Sequence, residues 1–350
     1  MPPPLMQTSA TARTIATMEI LDLRHLRSSD LRPLMESETR RWAQRMAWDY
    51  TTSAEMVLRY VDAKILPGYA AMEDGRASGY AFFVYEGSKG VIGDLFVAPD
   101  AMSGAGAAPK LKKPGEEDLG EKLLIHVIET LQQSPGVTRI EAQLLLHDEG
   151  SIVRPFLQNG FRRWTRLFMM KSLAEATPRA VRMNGTQPAA ASLVNVEIRK
   201  WTEQDFQPSA GVITASYRGH LDAEINDQYR GIPGALRFLT NIVRFPGCGQ
   251  FDPESSLVAI DRVTQTQIGL LLCSRVRSDV GHVTQVCVVP EHQGKGIGRA
   301  LIAGCCRHLR KKKMSGLSLT VTSGNSSAVG LYERLGFTVE HKFDAFVWEK

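Results

Sequence analysis

Residues 286–298 read Val-Cys-Val-Val-Pro-Glu-His-Gln-Gly-Lys-Gly-Ile-Gly and run directly into a helix-like stretch, 299–312. An apolar strand, a glycine-rich turn with one cation and a helix start follow one another. A helix start offers backbone N–H groups with no intrahelical partner, together with the positive end of the macrodipole. Glycines let a phosphate come close to those donors. By this reading the stretch is a phosphate cradle. Two nucleotide motifs fail on spacing. A Walker loop needs its lysine followed by Ser or Thr, and here Lys295 is followed by Gly296. A dinucleotide fingerprint needs Gly-x-Gly-x-x-Gly, and here the glycines stand at 294, 296 and 298.

Outward from the cradle, alternation and turn signals predict strands at 194–201, 256–260, 267–276, 282–289 and 317–322. Helices are predicted after Thr202, with Asp205 at the capping-box position, and at 232–245 and 328–335. Pro208 is expected to limit the first of them. One or two strands at 338–350 complete the sheet. The same order recurs in the first half. Residues 18–23 resemble 194–201, and 95–99 resemble 286–290. Residues 119–131 correspond to 297–309, and 155–161 to 331–337. The polar, small-residue stretch 174–193 reads as a linker. The expected organisation is a tail at 1–17, a first domain at 18–173, the linker, and a second domain at 194–350.

Gln293, Gly296 and Gly298, after a strand ending in Val288-x-Pro290, resemble the coenzyme A loop of the GNAT acyltransferase superfamily. Asn325, Tyr332 and Leu335-Gly336-Phe337 resemble the second half of that family's coenzyme site. The resemblance implies an α/β fold with a mixed sheet, here as two tandem GNAT-like domains. A tandem with one degenerate half resembles mycothiol synthase in architecture, which does not select a substrate. It implies acetyl-CoA as acyl donor and a primary amine as acceptor, attacking directly in a ternary complex. The expected phosphate donors are the amides of Gln293, Gly294, Lys295, Gly296, Ile297, Gly298 and Arg299. Val286 is expected to supply an oxyanion N–H, with Val288 beside it for the pantetheine arm and Asn325 also contacting that arm. Tyr332 is the expected proton donor to the departing thiolate. His282 stands where some members place a glutamate base. Residues 282, 284 and 286 would share one face of a regular strand.

The first copy differs where this chemistry would happen. A longer segment follows Pro99, and Glu116, Glu117 and Asp118 lie near its helix start, where carboxylates repel a phosphate. Phe156 stands in the place of Tyr332, and Glu149 in that of Asn325. The first domain is therefore read as degenerate, a scaffold or a wall of the acceptor site, although Gly104 and Gly106 of its lengthened loop remain able to approach a ligand. The loop 220–227 carries Asp222, Glu224 and Asp227, candidate carboxylates for a cationic amine.

With 43% hydrophobic and 23% charged residues the composition is that of a globular protein, and no apolar run approaches the roughly 18–20 residues of a membrane span. The first seventeen residues lack the apolar core of a signal peptide. The five cysteines show neither zinc spacing nor a disulfide framework, and no metal is expected. A reduced, cytoplasmic setting is the natural reading. The net charge of +5 and the 311–313 lysine run suit a solvated helix end rather than nucleic acid. The leading reading is an N-acetyltransferase for a small-molecule amine. Acetylation of a protein or peptide, and a non-catalytic acyl-CoA sensor, stay open beside it.

Overall fold

The computed structural model describes residues 18–99, 118–174, 193–245, 247 and 249–350. The tail at 1–17, Gly104, Gly106, Glu116, Glu117 and nearly all of the 174–193 linker lie outside the described residues. In the first half the order is β1 (Met18–Asp22), α1 (Ser28–Met46), α2 (Thr51–Asp62), β2 (Gly68–Glu73), β3 (Arg76–Glu86) and β4 (Lys89–Val97). It continues with α3 (Leu119–Gln133), β5 (Arg139–Gln143), α4 (Val153–Gln158) and β6 (Arg162–Ser172). The second half repeats it with β7 (Val196–Lys200), α5 (Phe206–Ser216), α6 (Asp222–Ile225), α7 (Ile232–Arg244), β8 (Gln250–Phe251), β9 (Leu257–Asp261), β10 (Gln267–Arg277) and β11 (Val280–Val288). There follow α8 (Ile297–Lys311), β12 (Gly316–Thr322), α9 (Ser326–Arg334) and β13 (Thr338–Glu349). No helix among the described residues is long and apolar enough to cross a membrane.

Thr202 and Asp205 form the expected capping box, but Pro208 does not end the helix. It sits in the first turn of α5, where the missing N–H would have had no partner, and α5 runs on to Ser216.

Among the described residues the strands form one sheet in the order β1-β2-β3-β4-β5-β13-β6-β12-β11-β10-β9-β7, with β8 pairing β10 to the side. The last strands of the two halves are exchanged. β13 lies against β5 of the first half, with Phe346 opposite Ala142. β6 lies against β12 of the second, with Met170 opposite Ser318. The cores follow the exchange. Leu167 and Met169 of β6 are buried with Leu301, Leu309 and Leu319 under α8. Phe346 of β13 is buried under α3 and stacks on Phe156, ring centroids 3.9 Å apart. Apolar area removed from water is the main favourable term in each core, so neither half completes its core alone.

Two features of the sheet position the site. Parallel pairing of β11 with β12 covers only Val280–Val283 against Gly316–Leu319, after which the strands diverge. The pairing of β10 with β11 also shifts between Leu272–Gln285 and Cys273–Val283, leaving Thr284 as an extra residue. Such a bulge reverses the alternation of side chains on either side of it.

Candidate active site

The glycine loop lies at the open end of the diverging strands. Gly294 and Gly296 have φ of +73° and +83°, and a Cβ at either would meet nothing within 4 Å. Backbone torsion, not crowding, selects glycine there. Gln293 Nε2 donates to the Val288 carbonyl at 3.0 Å, tying the loop to the end of β11. Ala300 N–H reaches the Gly296 carbonyl at 3.0 Å, so the preceding amides of Ile297, Gly298 and Arg299 lie ahead of the helical ladder. No side chain caps α8 at Gly296. Ile297 is buried and pins the helix start into the core, while Arg299 is exposed. This arrangement fits a polyanion such as a pyrophosphate: free amides, an aligned helix dipole and open space above the glycines.

Tyr332, on α9, is buried between the diverging strands and the glycine loop's helix, and tilts against Phe337. Burial pushes its hydroxyl above the ordinary tyrosine range; Asp222 and Cys287 push the same way, and Arg166 opposes them. The phenol therefore stays protonated at neutral pH. Asp222 and Tyr217 lie within electrostatic range of it, and Tyr229 within that of Asp222. Tyr217 stacks on Tyr229 with centroids 4.2 Å apart, and Tyr229 Oη donates to Gln285 Oε1 at 3.4 Å. The Asp222 carboxylate accepts from Thr322 Oγ1 and from Arg166 Nη1, the latter at 3.3 Å. Arg166 Nη1 also donates to Thr322 Oγ1 at 3.0 Å. Burial pushes the Cys287 thiol up to about 12, so it is not a nucleophile at neutral pH.

Sequence reasoning missed Arg166, Tyr217 and Tyr229. Arg166 belongs to β6, and only the strand exchange brings it to the second half's site. Asn325 is used locally. Its Oδ1 caps α9 by accepting from Ala328 N–H at 3.1 Å, and its Nδ2 lies 3.2 Å from His220 Nε2.

His282 is a correction. The bulge at Thr284 turns it away from Val286. Val283, Val286 and Val288 pack on the α8 side, whereas the His282 ring meets Trp48 at 5.0 Å and Phe168 at 6.3 Å. Its Nδ1 is 2.9 Å from Ser318 Oγ, in the closed part of the β11–β12 pair. Burial lowers its pKa to about 3 from the usual 6.5, which leaves it neither placed nor poised as a base near pH 7. Because the folded pKa is depressed, stability is complete above 6.5 and falls as pH drops toward 3, where the unfolded chain takes up the proton first. His282→Ala is expected to cost about 1–3 kcal/mol, to remove part of that acid-side slope in chemical denaturation, and to leave the pH–rate profile unchanged.

Glu224 and Asp227 are also corrected. Glu224 is half exposed and pairs with Arg162 and Arg230, at 3.5 and 3.6 Å. Asp227 pairs with Lys89 of the first half at 2.7 Å. Of the three acids in this loop only Asp222 acts through its charge on the Tyr332 hydroxyl.

The equivalent place in the first half is filled. Asp118 caps α3 by accepting from Glu121 N–H at 2.8 Å, and the Glu121 carboxylate accepts from Asp118 N–H at 3.4 Å. Carboxylates thus meet amides that the second half leaves open. Phe156, stacked on Phe346, has no proton to give. Among the described residues no group of three or more His, Cys, Asp or Glu side chains is arranged to hold a metal ion.

Residues 225–337, which span the diverging strands, the glycine loop and Tyr332, match the Acetyltransferase (GNAT) family. The second half carries a GNAT domain. The chain is similar to mycothiol acetyltransferases. With that of Nocardia farcinica it is 33% identical over 95 residues, covering 26% of this chain and 31% of the relative. With that of Nocardiopsis dassonvillei it is 48% identical over 60 residues, covering 17% and 18%. The chain thus matches about a third or less of these relatives' length. Beyond the GNAT domain, the whole fold is similar to a GCN5-related N-acetyltransferase from Sphaerobacter thermophilus. The TM-score is 0.63 at 17% identity, over 95% of both chains. It is also similar to a tandem GNAT protein from the clavulanic acid biosynthesis pathway, with TM-score 0.54 at 15% identity, over 95% and 98%. At such identities the likeness is one of fold: two GNAT folds in tandem.

Proposed function

We propose that the protein is an acetyl-CoA-dependent N-acetyltransferase whose acceptor is a primary amine of a small molecule, with one active site, in the second half. The observation that carries this reading is the protonated, buried Tyr332 set between the diverging strands and the uncapped glycine-loop helix. A phosphate cradle alone would serve a binding protein. A proton donor held at the end of the cradle's cleft serves a reaction.

In this reading the amides from Gly294 to Arg299 hold the coenzyme's pyrophosphate; the Gln293 N–H, expected among them, is taken by the Pro290 carbonyl at 3.1 Å. Val288 borders the pantetheine arm, and Val286 offers its backbone N–H to the developing oxyanion. One such donor contributes roughly 3 kcal/mol to a transition state. Asp222, which also pairs with Arg166, offers its carboxylate to the acceptor's ammonium group near Tyr217 and Tyr229; the amine attacks in its neutral form, its proton having passed to solvent. Tyr332 gives its proton to the thiolate as the C–S bond breaks. The thiol of Cys287, kept protonated by burial, favours direct attack by the amine over an acyl-enzyme on that residue.

The test is a screen of acetyl-CoA consumption over amine classes, beside coenzyme A binding measured by calorimetry. Turnover on small amines is expected. Coenzyme binding without turnover on any amine or peptide would point instead to an acyl-CoA sensor, and turnover on peptides alone to a protein acetyltransferase.

A further inference from the structure

The loop that carries Asp222 and Tyr229 into the site is held from the other side by the first half. Two cations at the starts of adjacent strands do this: Lys89 opens β4 and Arg139 opens β5, and both are buried. Lys89 Nζ lies 2.7 Å from Asp227 Oδ1, and 3.2 Å from both Glu141 Oε2 and Glu86 Oε2. Arg139 Nη2 donates to the Glu224 carbonyl at 2.6 Å, its Nε to Glu141 Oε1 at 2.6 Å, and its Nη1 to Glu349. Glu141, also buried, accepts the Asp227 N–H at 3.0 Å, and Gln228 Nε2 donates to Glu86 Oε2 at 2.9 Å. Arg230 closes the turn, donating to the Ala223 carbonyl at 2.8 Å and pairing with Glu349 at 3.1 Å.

The division of labour within this loop is residue by residue. Asp222 is held by Arg166 and Thr322, and Tyr229 by Gln285; Glu224 through its carbonyl, Asp227 and Gln228 are held by Arg139, Lys89 and Glu86. A turn so short cannot move one set without the other. Buried ion pairs of this kind are weak evidence of stabilisation but fix geometry where every donor and acceptor is met.

We propose that Lys89 and Arg139 are positioning residues for the acceptor, by which strands β4 and β5 of the first half set the place of Asp222 and Tyr229. This rests on the proposed function for its kinetic consequence, not for its structural one. Misplacing such a group by an ångström costs a reaction about a hundredfold.

The experiment uses the full chain with Lys89→Met, Lys89→Arg and Asp227→Asn. In Lys89→Met the acceptor KM is expected to rise by about tenfold or more while coenzyme A affinity stays unchanged, and Lys89→Arg should restore most of the loss. Asp227→Asn keeps the shape of a partly exposed residue and should show the same effect if Lys89→Met fails to fold. Hydrogen exchange supplies a readout without turnover: amides at 222–230 should exchange faster in the variants, and those at 293–299 should not. Equal loss of coenzyme affinity, or unchanged exchange at 222–230, would overturn the proposal. If the wild-type chain turns over no amine, the proposed function fails, yet the exchange experiment still decides whether the clamp holds the loop.

Discussion

Tyr332→Phe is expected to lower kcat by about 10²- to 10⁴-fold with coenzyme A binding unchanged. The substitution removes one oxygen and keeps the ring that packs against Phe337, so the fold and the cradle should be untouched. What is lost is the proton for the departing thiolate. The magnitude is that of removing one positioned proton donor. Burial raises its pKa and the neighbouring Asp222 charge adds to that, so the group keeps its proton until a base is formed beside it. The sign of the pH dependence follows as well. A phenol titrating above its ordinary value of about 10 leaves no alkaline limb in the activity profile up to that pH. Steady-state kinetics of wild type and variant, with calorimetric binding of coenzyme A, provide the check. Full activity in Tyr332→Phe would remove the proton-donor assignment. A limb near pH 10 that vanishes in the variant would show that burial does not hold the hydroxyl as argued.

A chain beginning at Leu193 is expected to yield no soluble, folded protein, although it contains the whole glycine loop and Tyr332. The cut removes β6, which lies between β12 and β13, and β5, the other neighbour of β13. The twelve residues of β13 would then have no partner, and β12 would present an open edge, the kind of surface that aggregates. Leu167 and Met169 would be missing from the core under α8. Losing buried side chains of this size costs about 2–5 kcal/mol each, comparable to the whole stability of a domain of this class. Soluble yield and far-ultraviolet circular dichroism of 193–350 provide the measurement. Co-expression with 18–174 should recover folded complex, because that fragment returns β5 and β6. A soluble, cooperatively folding 193–350 would mean that β13 can turn back onto β12, and that the exchange is one of two accessible pairings.

The glycine loop was legible because it is local. The spacing of Gly294, Gly296 and Gly298 before an apolar helix prescribes left-handed torsions and open amides, and these follow from adjacent residues alone. The place of Tyr332 came from a second local segment. The acceptor end was not legible in the same way. His282 was misread because period-2 alternation assumes an unbroken strand, and one extra residue at Thr284 reverses the faces. Glu224 and Asp227 carried the expected charge, but their carboxylates pair with Arg162 and Lys89, distant in sequence and brought close by folding. Arg166 carried no motif at all.

The sequence by itself determined that a GNAT-like order of elements occurs twice, that the second copy has left-handed glycine torsions before its helix, and that the first fills its helix start with Asp118. Only the tertiary structure decided which final strand completes which half. β6 and β13 occupy equivalent places in the repeat, and alternation specifies the buried face of a strand, not its neighbour. Their exchange brings Arg166 beside Asp222 and Phe346 onto Phe156, because pairing between strands far apart in sequence is chosen by packing over the whole sheet.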